Sequence, residues 1–292
     1  MKKTIALLPA GSVSDEAAKK MFGNEEVNWS HHRLIADVFL STVNDISQYS
    51  VIPIENTIEG SVSLHMDWLV HEIDLPIQAE WVYPSIQNLI GRRSEFTGED
   101  GKLDLGKIDK VFSHPVAIAQ CLQFLRSELP QADKETVGST SEGVRIVRDN
   151  PGNGFAAIGT ATAASNNQLD VLAESITDHN NNYTRFLLIG NEPFTTRESA
   201  TRKTSILITL PDDFPGALHR VLSAFSWRQI NLSKIESRPT KKQLGTYYFY
   251  IDIDMALDTV LLPAALEEIQ ALGCHVRVLG SYPSFTYEQL SE

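Results

Sequence analysis

Residues 180–190 read NNNYTRFLLIG: three asparagines, then a hydroxyl and a guanidinium at the mouth of an apolar run closed by Gly190. A rigid sheet aims the groups at its strand ends into a crevice, so Thr184 and Arg185 are candidates for work on a ligand. The plainer account is a turn leading into a capped strand, with Arg185 paired to a surface carboxylate. Four more segments share one design, in which a strand ends in a polar cluster and a helix or turn begins. They are PAGSVS (9–14), PIENTIEGS (53–61), FSHPVAIAQ (112–120) and GSTSEG (138–143). Each offers hydroxyls and free backbone N–H groups suited to a carboxylate, although each alone reads first as an ordinary helix cap. Together they point to a small, multiply anionic ligand held between lobes.

Other chemistries are less well served. The eight histidines are scattered: His31 and His32 are adjacent, and His65 and His71 miss the i, i+4 spacing of a helical metal pair, so no metal site is expected. Ser113-His114 are neighbours, which rarely align as nucleophile and base, and no nucleophile elbow is present. PGNGFAAIG places its glycines before a strand rather than a helix, so no dinucleotide or phosphate loop, and no cofactor, is indicated. A net charge of −12 without a basic run argues against nucleic acid. Cys121 and Cys274 lie in apolar elements and read as reduced, packed thiols of a cytoplasmic protein. The start MKKTIALLPAGSVSDEAAKK reads as a first strand rather than a signal peptide, and no apolar stretch approaches a membrane span.

The elements that must position these groups alternate between strand and helix over the first 190 residues, the mark of an α/β layer structure. Strands are expected at Thr4–Leu8, YSVIPIEN, Ile77–Val82, Gln87–Ile90 and KVFS, and GFAAIGT and LDVLAESI complete the alternation. Helices are expected over GSVSDEAAKKMF, HRLIADVFLSTV, 61–73, HPVAIAQCLQFLRSEL and GSTSEGVRIV, the last with Ser139 and Glu142 at capping-box spacing. Residues 191–203 are polar and aperiodic, a linker. After them come strand Thr204–Leu210, helix 216–229, strands Leu232–Ser237 and Thr246–Asp254, helix 259–272 and strand His275–Leu279. This is the βαββαβ order of a ferredoxin-like module.

VIPIENTIEGSV, VFSHPVAIAQC and NNNYTRFLLIG resemble the signature segments of the prephenate dehydratase family, and GALHRVL (216–222) and ESRP (236–239) resemble the phenylalanine-binding elements of its ACT regulatory domain. The resemblance spans nearly the whole chain in the right order. It departs from the family pattern at Ser12-Val13, where Thr-Phe is usual, and at Val116, where Gln is usual. It implies a two-lobed, periplasmic-binding-protein-like catalytic domain over 1–193, with lobes of about 1–80 plus 177–193 and 81–176, and an ACT domain over 200–292. The implied reaction converts prephenate to phenylpyruvate with loss of water and carbon dioxide. By the same resemblance Thr184, Arg185, Glu55 and Asn56 are the catalytic candidates. Ser12, Thr57, Ser113, His114, Gln120, Ser139, Thr140 and Phe186 are candidates for holding substrate. Gly216, Ala217, Leu218, Glu236, Ser237, Arg238 and Pro239 are candidates for an allosteric phenylalanine site, in a homodimer or homotetramer. The competing readings are a two-lobed small-anion binding protein and an amino-acid sensor without catalysis.

Overall fold

The computed structural model describes residues 2–199, 201–212, 214–241 and 246–290. The first lobe contains β1 (Lys3–Leu7), β2 (Val27–His31), β3 (Tyr49–Asn56), β4 (Gly60–Ser61) and β5 (Ile77–Pro84). The second contains β6 (Asn88–Gly91), β7 (Lys110–Ser113), β8 (Asp133–Thr136), β9 (Phe155–Gly159) and β10 (Asp170–Ala173), in the sheet order β10-β6-β9-β7-β8. The chain then returns to the first lobe as β11 (Tyr183–Ile189), which pairs antiparallel with both β3 and β5. Segments 85–87 and 174–182 therefore form the double crossing between lobes. β3 and β11 read as almost unbroken apolar runs because both their faces are covered.

The C-terminal module follows as β12 (Arg202–Thr209), β13 (Leu232–Pro239), β14 (Tyr247–Ile253) and β15 (His275–Phe285), with helices Ala217–Ser226 and Leu261–Ala271 on one face. β15 runs six residues past the expected end at Leu279, and its extension pairs parallel with β5 (Ser284 opposite Glu80, Phe285 opposite Trp81). One ten-stranded sheet results, β13-β14-β12-β15-β5-β11-β3-β1-β2, with β4 beside β3. Gly280 permits the crossing, since a side chain there would meet the Ile77 carbonyl oxygen at 2.3 Å. The cores merge as well: Leu207, Tyr250, Leu279 and Tyr282 pack with Ile52, Leu69 and Val70.

Local chemistry explains where elements start and stop. Ser12 accepts from the Asp15 amide and caps helix Val13–Phe22, which buries Ala17, Ala18, Met21 and Phe22. Ser139 caps helix Thr140–Asp149 through the Glu142 amide, while the Glu142 carboxylate reaches back to the Gly138 amide. The single helix expected over HPVAIAQCLQFLRSEL is instead two, Pro115–Ala119 and Leu122–Glu128. Asp178 accounts for the break. Its amide donates to the Gln120 carbonyl at 2.7 Å, and its carboxylate caps the second helix at the Gln123 amide, 3.0 Å away. Helix 61–73 is a short α-helix, Ser63–Asp67, followed by one wide turn, Trp68–Glu72. Cys121 and Cys274 are free and buried. Among the described residues no helix is long and apolar enough to cross a membrane.

Candidate active site

The two crossing segments meet the ends of β3, β5 and β11 in a buried polar network. Asn182, almost fully enclosed, is its centre. Its side-chain oxygen accepts from Asn56 Nδ2 at 2.8 Å, and its own Nδ2 donates to Gln120 Oε1 at 2.9 Å and to the Ser85 carbonyl at 3.3 Å. Asn56 Nδ2 also donates to Thr184 Oγ1 at 3.1 Å, and the Ser85 and Thr184 hydroxyls lie 2.6 Å apart. The oxygen of Asn56 is occupied by the Ile58 and Glu59 amides, which fixes the orientation of its amide group. Thus 53–61 from one lobe and 112–120 from the other converge on Thr184 through one asparagine. Ser85 and Asn182 were not singled out from sequence. The only signals were a serine after Pro84 at a strand end and the third of three asparagines, and both look like turn chemistry.

The other candidates are distributed unevenly. Thr57 Oγ1 donates to the Asn181 carbonyl at 2.6 Å and accepts from the Tyr183 amide, tying the β3 turn to the β11 approach. Ser113 is fully buried and its hydroxyl donates to the Ile158 carbonyl at 2.8 Å. His114 caps the helix that begins at Pro115, its Nδ1 accepting from the Val116 amide at 3.3 Å. Burial holds its imidazole below the ordinary histidine value. With Nδ1 accepting, the neutral ring carries its proton on Nε2. Ser12 and Ser139 each spend a lone pair on their caps, and Thr140 is the first residue of its helix.

Three of the candidates lie apart from this network. Phe186 does not line the site: it is fully buried and stacks on Trp81, ring centroids 5.7 Å apart. Arg185 does not offer its guanidinium to the cleft. Successive strand residues face opposite ways, and Arg185 turns toward the C-terminal module. There Nη1 lies 2.6 Å from Asp252 and 3.1 Å from Glu80, and Nε lies 3.1 Å from Glu55. Burial alone would weaken its hold on the proton, but Asp252 and Glu80 raise it well above the ordinary arginine value. Glu55, paired with Arg185 and 2.7 Å from Lys234, belongs to the same ion network and not to the polar site.

Above the network the lobes approach one another around the first loop. Thr160 Oγ1 donates to the Gly11 carbonyl at 2.8 Å, and Gly11 (φ 75°) packs on Ala163, leaving no room for a side chain. A cavity of about 930 Å³ opens beside this contact. It is lined from one lobe by Pro9, Ala10, His31 and Arg33, and from the other by Ser139 and Arg145.

A two-lobed α/β unit with its polar network at the double crossing, joined to a βαββαβ module, is the plan of a small-ligand enzyme with an attached regulatory domain. The comparisons specify which. The chain matches the prephenate dehydratase family over residues 5–194 and the ACT domain over 204–274. It is 41% identical to a prephenate dehydratase of Bacillus subtilis, over 95% of this chain and 97% of that one. It is 38% identical to a prephenate dehydratase of Methanocaldococcus jannaschii, over 97% and 99%. The crystal structure of a prephenate dehydratase from Arthrobacter aurescens in complex with L-Phe superimposes with a TM-score of 0.84 at 29% identity, covering 96% of this chain and 89% of that one. This chain belongs to the prephenate dehydratase family.

Proposed function

We infer that the chain converts prephenate to phenylpyruvate, releasing water and carbon dioxide, in phenylalanine biosynthesis, and that phenylalanine regulates it through the ACT module. Aromatisation of the ring drives the reaction, so the protein must orient a dianion and help hydroxide leave as water. That calls for a donor at the ring hydroxyl, strongest as the C–O bond breaks. Thr184 takes this role. Asn56 fills one of its lone pairs and Ser85 can fill the other, which leaves the Thr184 proton free for the departing oxygen. Gln120, whose Oε1 accepts from Asn182, can supply a neutral hydrogen bond beside it through its amide Nε2, while Asn56 spends both amide protons on Asn182 and Thr184 and holds them in place. Neutral donors suit the chemistry, because a cation clamped on the departing carboxylate would stabilise the ground state and slow its loss.

The observation that carries this reading is Asn182, which joins Asn56, Gln120 and Ser85 from three elements, Asn56 and Ser85 themselves lying within hydrogen-bond reach of Thr184. We read residues 1–193 as catalytic and 200–292 as regulatory. Gly216 opens helix Ala217–Ser226 with φ 90°, a backbone shape that presents N–H groups free of side chains to an amino-acid carboxylate. β13 is the outer strand of the sheet, with Ile235 44% exposed, so we expect two modules to meet there in a homodimer or a homotetramer. Two buried free thiols suit a cytoplasmic location. The test is incubation with prephenate while following phenylpyruvate absorbance. Binding of prephenate without product would favour the small-anion binding protein, and phenylalanine binding with neither would leave an amino-acid sensor.

A further inference from the structure

The strand that bears ESRP presents two different faces. Lys234, Glu236 and Arg238 are half-buried against the catalytic unit, while Ile235, Ser237 and Pro239 are exposed on the other side. The inward three grip the segment around Asn56. Lys234 Nζ lies 2.7 Å from Glu55 Oε1 and donates to Ser61 Oγ at 2.6 Å. Ser61 Oγ donates onward to Glu236, and Arg238 pairs with Asp67. Glu55 and Ser61 are opposite partners in the β3–β4 pairing, so Lys234 holds both sides of the turn that presents Asn56. Glu55 also meets Arg185, the residue after Thr184.

We propose that Lys234 is a positioning residue of the catalytic site: it fixes the Glu55–Ser61 pair, and through it Asn56, in the arrangement that serves Thr184. Phenylalanine bound on the outward face of β13 acts by loosening this grip. The proposal rests on the reading of ESRP as an effector element and specifies how that element reaches the site. The Lys234 side chain is only 12% exposed, so its pairs differ from solvated surface pairs of little consequence. Removing one member strands the others in a low-dielectric interface. Residues on one face of a strand also move together, so a small rotation of β13 disturbs every inward contact at once.

Binding linkage gives the test a signature that general damage would not produce. If phenylalanine and the intact grip oppose one another, breaking the grip must tighten phenylalanine binding while lowering activity. Lys234→Met, Lys234→Arg and Ser61→Ala are compared with wild type by prephenate kinetics with and without phenylalanine. Calorimetric titration with phenylalanine alone supplies the binding arm. Lys234→Met should fall to the kcat/KM that wild type shows at saturating phenylalanine, respond less than about twofold to more, and bind it roughly fivefold tighter or better. Lys234→Arg should keep wild-type activity and inhibition. Ser61→Ala, which removes the shared hydroxyl without stranding a charge, should shift both quantities the same way by a smaller factor, and it decides the matter if Lys234→Met does not fold. Wild-type activity and inhibition in Lys234→Met and Ser61→Ala would overturn the proposal. So would lost activity with weaker phenylalanine binding. A wild-type protein that makes phenylpyruvate but neither binds nor responds to phenylalanine would overturn the regulatory reading itself, and this inference with it.

Discussion

Replacing Arg185 with methionine separates two roles that its place beside Thr184 confuses. In the structure Arg185 is 9% exposed and meets Asp252 (0% exposed) and Glu80 (1%). Removing one partner of a buried charge cluster costs about 3–5 kcal/mol, because the opposite charges are left unpaired. Glu80 would keep Lys203 at 2.8 Å and Ser284 at 2.7 Å, whereas Asp252 would keep Ser205. The loss therefore belongs near the lower end, about 3 kcal/mol. At about 2–4 °C per kcal/mol for chains a little smaller than this one, the melting temperature should fall by roughly 6–12 °C. Arg185→Met combined with Asp252→Asn, which removes the stranded charge, should recover at least half of that. The assays are scanning calorimetry and prephenate kinetics on the same preparations. A bidentate contact to a substrate carboxylate would instead show in KM, since two charged hydrogen bonds at about 1.5–3 kcal/mol each amount to 10²-fold or more. An unchanged melting temperature with KM raised a hundredfold would refute the structural role and restore substrate capture.

Thr184→Val keeps the shape and removes the donor, so kcat should fall by roughly 10²–10³ with little change in substrate affinity, and wild-type turnover would remove Thr184 from the mechanism. The same variant strands the Asn56 amide and Ser85 hydroxyl, at a cost of about 1–3 kcal/mol in unfolding free energy. His65 gives a pH signature. Burial lowers its value below the ordinary 6.5 even though its ring Nδ1, 2.6 Å from the Pro53 carbonyl, opposes the shift. The unfolded chain therefore protonates first as pH falls: the His65 contribution is complete above about 6.5 and is lost below it, down through the depressed folded value. Melting temperatures measured from pH 7.5 to 5.5 should decline, and His65→Gln should flatten that slope; an equal slope in both proteins would exclude His65 as its source. Gly216→Val, at φ 90° where a branched side chain is strained, should weaken phenylalanine binding and relieve inhibition while sparing turnover without effector. Inhibition unchanged in that variant would move the effector elsewhere.

Much of the architecture could be read from hydrophobic period alone, because strands covered on both faces and helices with one apolar stripe leave unmistakable patterns. The break at Gln120 could not. QCLQFL is apolar at helical spacing, and the cause of the break, Asp178, lies more than fifty residues away and acts through backbone caps. The expected end of β15 at Leu279 falls short for a similar reason. Gly280 reads as a strand end until its neighbour is known to be the Ile77 carbonyl, whereupon it becomes the residue that lets two sheets join. In the site, motif resemblance singled out Asn56, Gln120 and Thr184. It passed over Asn182 and Ser85, whose residue types are those of any turn and whose importance lies in what they touch.

Arg185 shows the physical limit more sharply. Strand alternation states that Thr184 and Arg185 face opposite ways, so one of them had to leave the cleft. The identity of what Arg185 faces depends on Asp252, which follows it by 67 residues and belongs to another module. The same rule applied to β13 separates Lys234, Glu236 and Arg238 from Ile235, Ser237 and Pro239. On β11 one face carries Thr184 and the other carries the ion pair to the regulatory module. On β13 one face meets the Asn56 turn through Lys234 and the other is exposed. A two-residue period therefore brings the Thr184 hydroxyl and the ESRP element within a short chain of contacts, from Thr184 through Arg185, Glu55 and Lys234 to Glu236, with no helix or loop needed between them.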